Sequence, residues 1–293
     1  MVLAGIKERW RSVRAELFPK LVLLDLSDAM VLTGQAFKPG GADSPVWTAP
    51  VPARTVRSGV PIAADALGDF IGDLLLEHST PDASLAVALP QAASQWRLIE
   101  WPAGTIPEDP VEALREMNPD LQLPFRLDEA YIDIQDVPAS PSRSVLVAAP
   151  RGTVEAWINL FAIAGGSLRH LLPAQAARMA GLREAIEASP PGGMVALLQP
   201  LASRHQLEVW VDGAPEFERS LPLESQALVP ALTQSITYCQ ERFSPSSTRL
   251  LLAQPFEGSD AVAQALEFPI EPVDLGGFGS LVLKGLADVE LTR

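Results

Sequence analysis

Runs of apolar residues alternate along the chain with amphipathic stretches, and their periods predict an order of strands and helices. Residues 21–37, LVLLDLSDAMVLTGQAF, hold two apolar runs around a polar break at Ser27-Asp28, which is the pattern of paired strands. Residues 38–57 read as loop with one edge strand, and Pro61 is expected to open a helix reaching His78. SLAVALP (84–90) and WRLIEWP (96–102) read as two strands joined by the polar turn QAASQ, followed by a short helix over Pro110–Met117. In 129–137 Tyr131, Asp133 and Gln135 alternate with Ala130, Ile132, Ile134 and Asp136. A period of two with one polar face marks a half-exposed strand. SVLVAAP (144–150) is a buried strand, 152–164 a helix stopped by Gly165-Gly166, LRHLL a strand, and Pro173–Ala188 a helix.

After SPPGG (189–193) the order restarts. Strands MVALLQP, HQLEVWV and EFERSLPL, the second and third joined by an Asp212-Gly213 hairpin turn, precede a helix over 224–243. Strand TRLLLAQP, helix SDAVAQALEF, a Pro-interrupted linker and a last helix over 277–288 complete the chain. Two similar halves, each of three antiparallel strands followed by α/β units, predict an α/β protein with mixed sheets.

The first segment stands apart from this order. Ile6, Trp10, Val13 and Leu17 mark one apolar helical face over 5–17, with Lys7, Arg9, Arg11 and Arg14 on the others. We read a terminal helix that docks its Trp stripe on the body; the alternative is an interfacial helix drawn to anionic lipid or an acidic partner. Asp65, Asp69 and Asp73 recur every four residues on the next helix. Such a stripe is by default a solvated face, with a docking stripe for a cationic partner as the lesser reading.

Composition bounds the chemistry. The 293 residues are 47% hydrophobic and 20% charged, as in folded globular proteins, and 27 prolines stiffen the loops. A net charge of -14 repels phosphate backbones and argues against nucleic-acid binding. One cysteine, Cys239, excludes a disulfide framework and a cysteine zinc cluster, and His78, His170 and His205 are too scattered to suggest a metal site. No signal-like or membrane-spanning run is present, so a soluble cytoplasmic protein is expected. Nothing matches a G-x-S-x-G elbow, H-E-x-x-H or G-x-x-x-x-G-K-[ST], and no nucleophile constellation stands out, although sequence distance leaves Ser-His-Asp and Cys-His groupings open.

Several strings in their order resemble the PilM family of type IV pilus assembly proteins, relatives of the bacterial cell-division actin homologue. LVLLDLSDAMVL stands at the first phosphate loop, and SLAVALPQAASQWRLIEWPAG is similar to the following strand-turn-strand. LPFRLDEAYIDIQ resembles (I/L)-P-F-x-x-(D/E)-E-V-Y-x-D-(Y/F), the most specific stretch. SVLVAAPRGTVEAWINLFAIAGGSLRHL and GFGSLVLKGLADVEL resemble later strand-helix and terminal-helix segments. The resemblance implies an actin-like (ribonuclease H-like) two-lobed fold with an inserted α/β subdomain and a reduced or missing helical lid. It divides the chain into an N-terminal helix (1–20), part of the first lobe (21–82), the inserted subdomain with the return to the first lobe (83–172), and the second lobe with the C-terminal helix (173–293).

The family's cofactors are ATP and Mg²⁺, and here their motifs are eroded. At the first turn Asp25 and Ser27 remain as degenerate cofactor-binding positions, but Leu26 replaces the glycine and Asp28 adds a second carboxylate. The second turn reads LLQPLASR and the adenosine loop AQPFEG, and almost nothing is inserted between Pro222 and Glu224, where the lid would stand. No cofactor is therefore expected, and Asp25 is read as a carboxylate that caps its own turn. What the resemblance implies is a cytoplasmic scaffold at the inner face of the cell membrane, serving twitching motility or natural competence. It would capture the N-terminal tail of the inner-membrane protein PilN in a groove between the first and inserted subdomains, with other pilus platform proteins as further partners. Trp101, Phe125, Tyr131, Asp133 and Gln135 are the candidate partner-binding residues, with core packing as the alternative for each. The competing readings are an active actin-like ATPase and a type II secretion platform component, whose family continues into a membrane span.

Overall fold

The computed structural model describes residues 20–37, 44–117, 121–137 and 140–291. The helix expected over 5–17 lies outside them. Contacts divide the chain into two compact units. One takes the chain up to Ala93, Gly152–Gly181 and the segment from Leu275 on; the other takes Ser94–Arg151 and Leu182–Asp274.

In the first unit, β1 (Leu21–Asp25), β2 (Val31–Phe37) and β3 (Val46–Pro50) form an antiparallel meander. After the two-residue strands β4 (Val56–Arg57) and β5 (Val60–Pro61), helix α1 (Ala64–Glu77) crosses over to β6 (Ser84–Leu89), which lies parallel to β1. Pro61 thus ends a small hairpin, in register with Val56, instead of opening the helix, whose first residue is Ala64.

Successive side chains of a strand point to opposite faces, so both sides of this sheet can be buried at once. Val22, Leu24, Leu85 and Val87 pack with Leu67 and Ile71 of α1 and with Trp157 and Phe161 of a later helix. Leu21, Leu23, Ala86 and Ala88 pack on the C-terminal helix through Val282, Leu283 and Leu286. That second packing ties the C-terminal helix to the first unit, so the expected lobe 173–293 is divided between the units.

The chain enters the second unit through β7 (Gln95–Glu100), α2 (Pro110–Met117), β8 (Ala130–Val137) and β9 (Ser140–Pro150), which build a three-stranded antiparallel sheet in the order β7-β9-β8. β6 and β7 are consequently not a hairpin: they sit in different sheets, and the QAA turn between them is a 3₁₀ turn. Helix α3 (Arg151–Ile163) and β10 (Ser167–Pro173) return to the first sheet, followed by α4 (Ala174–Gly181) and α5 (Arg183–Glu187). The single helix expected over 173–188 is split, with Pro173 ending β10 and Leu182 between the two short helices.

Strands β11 (Gly193–Pro200), β12 (His205–Val211) and β13 (Ala214–Leu221) form a second meander. Asp212 and Gly213 between β12 and β13 both have positive φ, as a type I′ turn requires. Helix α6 (Ser225–Phe243), β14 (Ser247–Leu252), α7 (Ser259–Ala265), β15 (Ile270–Pro272) and α8 (Leu281–Leu291) follow. β15 lies inside the expected Pro-interrupted linker, paired parallel to β14. The sheet orders β3-β2-β1-β6-β10 and β13-β12-β11-β14-β15 are the same topology twice, as the sequence pattern anticipated. Between β13 and α6 only residues 222–224 intervene, so no helical lid is inserted there.

Candidate partner-binding face

The alternation in β8 is realised from Tyr131 to Gln135. Tyr131 is 49% exposed, Asp133 and Gln135 are exposed, and Ile132 and Ile134 turn the other way. There the isoleucines meet Ile99, Leu146 and Leu114 of α2, which closes that face as a core. β8 pairs with β9 alone, so its outer edge carries no strand in this sheet. The register then sets the exposed face: Tyr131 lies beside Ala149, Asp133 beside Val147 and Gln135 beside Val145, and β9 in turn sets Val147 beside Trp96 and Val145 beside Leu98. Asp136 does not follow the expected alternation. A register shift between Asp136 and Val137 leaves Asp136 exposed and drives Val137 into a small core with Val145 and Ala214.

Polar contacts fix parts of this face. The Arg151 guanidinium stands 5.4 Å from the Tyr131 ring centroid, within cation–π range. Gln135 Nε2 donates to Asp133 Oδ2 over 3.4 Å. Trp96 Nε1 donates to Glu218 on β13, which also accepts from Gln206. In the 3₁₀ turn before β8, Arg126 pairs with Asp128 at 2.7 Å and with Glu129 at 3.9 Å. The hydrogen bond from Arg126 holds the Asp128 carboxyl below its usual range, and the same bond raises the guanidinium. The face thus joins half-buried apolar side chains, Trp96, Leu98 and Val147, to an exposed row headed by a tyrosine and an aspartate.

The candidate residues are not all gathered there. Tyr131, Asp133 and Gln135 share the face, whereas Phe125 is half-buried in the segment preceding the 3₁₀ turn. Trp101 is a correction. It is 3% exposed, packs with Leu114 and Leu146 on the opposite side of the sheet, and donates through Nε1 to Ser144 Oγ at 2.9 Å. A ring so enclosed has no surface to offer a partner, and its hydrogen bond satisfies the one polar group it buries. Trp96 and Arg151, which sequence reasoning did not single out, belong to the face instead. Period two in QWRLIE could have grouped Trp96 with Leu98, but placing them near Asp133 requires the β9 register between them.

At the other sequence-predicted site, Asp25 ends β1 and is 6% exposed. Its Oδ1 accepts from the Ser27 backbone N–H at 2.9 Å, and its Oδ2 accepts from Ser280 Oγ at 2.6 Å. Ser280 Oγ in turn accepts from the Leu283 N–H, so the carboxylate steadies the first turn of α8. Ser27 is buried as well, and Leu26 is fully buried with its N–H bonded to Ala88 O. The N–H groups of Met30 and Val31 are taken by the Asp28 side chain and carbonyl. In the β11–β12 turn, the Leu201 N–H bonds to Arg204 O. Among the described residues no His, Cys, Asp and Glu grouping could hold a metal ion, and no helix is long and apolar enough to cross a membrane.

No family model matches the sequence, and no curated protein matches it. Solved structures do. A chain of the PilM–PilN type IV pilus biogenesis complex superposes with a TM-score of 0.68 at 18% identity, over 93% of this chain and 98% of that one. The fold is actin-like. The cytoplasmic domain of EpsL, an inner-membrane component of the type II secretion system of Vibrio cholerae, gives 0.53 at 14% identity, over 94% and 95% of the two chains. A Bacteroides thetaiotaomicron protein with the actin-like ATPase fold and unknown function gives 0.52 at 9%, over 91% and 95%. Within this actin-like fold, the two like-ordered sheets repeat one topology, and β7, β9 and β8 form a separate three-stranded sheet that carries the exposed face.

Proposed function

We propose that this protein is a non-enzymatic scaffold of type IV pilus assembly, and that it captures the N-terminal tail of a PilN-like inner-membrane protein through the β8 face. The observation that carries the reading is the exposed Tyr131-Asp133-Gln135 row beside half-buried Trp96 and Val147, on a fold shared with a chain of the PilM–PilN complex. Half-buried apolar side chains and a carboxylate suit a tail made basic by the positive-inside rule, and a net charge of -14 favours its approach. On this reading the protein works at the cytoplasmic face of the inner membrane, in motility or competence, without nucleotide. Turns whose N–H groups already bond within the protein offer few donors to a phosphate, which supports the absence of ATP and Mg²⁺ from its function.

The test is calorimetric titration of the cognate tail peptide into wild type and Asp133→Lys at low and high salt. Reversing one charge at an exposed position should leave the melting curve within about 0.5 kcal/mol of wild type. At low salt it should weaken the peptide by about five- to thirtyfold, roughly 1–2 kcal/mol, and by less at high salt. Equal affinities at both salts, with the variant folded, would remove the β8 face from the binding site. A type II secretion role is separated by offering the equivalent tail of a secretion platform protein, which on this reading binds more weakly.

A further inference from the structure

On the first unit an open groove of about 520 Å³ runs along α1, lined by Asp69, Gly72, Asp73 and Leu76 of that helix, by Asp82 of the following turn, and by Ile163 of α3. Leu76 is 62% and Ile163 42% exposed, so the floor is apolar and open to solvent. Gly72 lets the end of α3 close on α1, since a Cβ there would stand 3.1 Å from the Ala164 carbonyl oxygen. The rim is negative from two sources. Asp69, Asp73 and Asp82 supply three carboxylates, and among the described residues none of them faces a cation in an ion pair. Both helices also end here, α1 at Glu77 and α3 at Ile163, and neither has a lysine or arginine in its last turn to offset the negative end of its dipole. Lys20 reaches the turn after α1, but its Nζ donates to Ser79 O at 2.8 Å, and the His78 ring stacks on Trp47 with centroids 4.6 Å apart.

We infer that this groove docks a basic amphipathic helix of another protein. Its negative rim repels phosphate-bearing surfaces, lipid and nucleic acid alike. Among the described residues no His, Cys, Asp and Glu grouping could hold a metal ion, so the cations the groove is fitted to receive are side chains. Asp69 and Asp73 are about 6 Å apart along α1, which is also the step between lysines or arginines four residues apart on a facing helix. Between such cations a leucine-like side chain lies on Leu76 and Ile163, and closing the floor removes both from water. The groove belongs to the first unit and the β8 face to the second, so neither reading rests on the other.

The test is fluorescence anisotropy of a labelled Leu/Lys peptide of about 14 residues, long enough to hold a helix once docked, with its leucines at helical spacing. Its control is an isomer of identical composition in which leucine and lysine alternate. Because the proposed tail site is also acidic, each titration is run on the full chain both with and without Asp133→Lys, which tells loss of one site from loss of the other. In low salt Asp69→Asn/Asp73→Asn should weaken the helical peptide about three- to tenfold, and 0.5 M NaCl should remove most of that difference. Leu76→Asp adds a negative charge, which alone would strengthen a basic peptide, yet by spoiling the apolar floor it should weaken binding at least about threefold. All the substituted positions are exposed, so the melting curves should be nearly unchanged. Unchanged affinity in the Asp69/Asp73 variant would overturn the inference. So would tighter binding by Leu76→Asp or equal binding of the alternating isomer, since either leaves only the protein's net charge at work. A peptide that binds wild type and not Asp133→Lys would assign it to the β8 face and overturn the groove.

Discussion

Asp25 separates a structural carboxylate from a catalytic one, and its contacts allow the consequence of removal to be sized. Asp25→Ala deletes two hydrogen bonds to a charged acceptor, from Ser27 N and from Ser280 Oγ. Bonds of that kind contribute about 1.5–3 kcal/mol each, less when two share one carboxylate, and the buried Ser27 N–H is then left without an acceptor. We expect a loss of about 3–4 kcal/mol, which for a unit of this size lowers Tm by about 6–15 °C. Asp25→Asn keeps one acceptor oxygen and should lose about half as much. Ser280→Ala removes one of the two donors, and a double-mutant cycle between Asp25 and Ser280 should return a coupling of about 1–2 kcal/mol. Differential scanning calorimetry of wild type, the three single variants and the Asp25→Ala/Ser280→Ala double variant, each with and without 5 mM MgATP, is the assay. A nucleotide bound to the native state alone at one hundred times its Kd would add about 2.7 kcal/mol, so its absence is readable. The reasoning fails if Asp25→Ala melts like wild type, or if MgATP stabilises wild type and not the variant, for then the carboxylate serves a nucleotide.

Three further outcomes follow from packing. Trp101→Ala should cost about 3–5 kcal/mol by chemical denaturation, and Trp101→Phe about 1–2 with peptide affinity intact; a well-folded Trp101→Phe that loses the peptide would return Trp101 to the site. At Gly285 a methyl group would stand 1.7 Å from the Ala177 carbonyl oxygen, so Gly285→Ala should force α4 and α8 apart at about 2–3 kcal/mol, read as a lower Tm, and an unchanged Tm would contradict that packing. Burial raises the Cys239 thiol to about 11 from 9.0, so at pH 8 its alkylation should be at least about 100-fold slower in the native protein than in urea, and equal rates would show the thiol to be accessible.

How far the sequence reaches depends on the range of the interaction that decides each element. The repeated strand pattern was legible because burial on both faces of a central strand writes continuous apolar runs, as in LVLL and MVALL. The Asp212-Gly213 turn was legible because its backbone demands those residues. Partner strands were not. β6 and β7 are separated by one 3₁₀ turn, yet the first pairs parallel with β1 and the second antiparallel with β9, a choice made by residues far away in sequence. The same long range hides Trp101: its local string ends a strand, and only α2 and Ser144 show that the ring is enclosed. β15 has three residues and a terminal proline, too little periodicity to stand out from the linker around it.

At the first turn the departure from the family pattern and the geometry explain one another. A glycine there would leave the backbone free to approach a phosphate, whereas Leu26 brings a side chain that is fully buried with Leu24 and Leu32. Burying a leucine contributes about 1.5–3 kcal/mol, and it draws the turn toward the sheet, where the Leu26 N–H bonds to Ala88 O. Once the turn is drawn in, the Asp25 carboxylate reaches the Ser27 N–H on one side and the Ser280 hydroxyl on the other. Each of these contacts takes a group that nucleotide binding would have to win back, so reinstating glycine alone would destabilise the turn without opening it. If the proposed absence of nucleotide holds, building an ATP site would need Leu26, the Leu201–Arg204 turn and the AQPFEG loop to change together. The β8 face stands on a different sheet from all three, so the tail capture proposed for it would not depend on them.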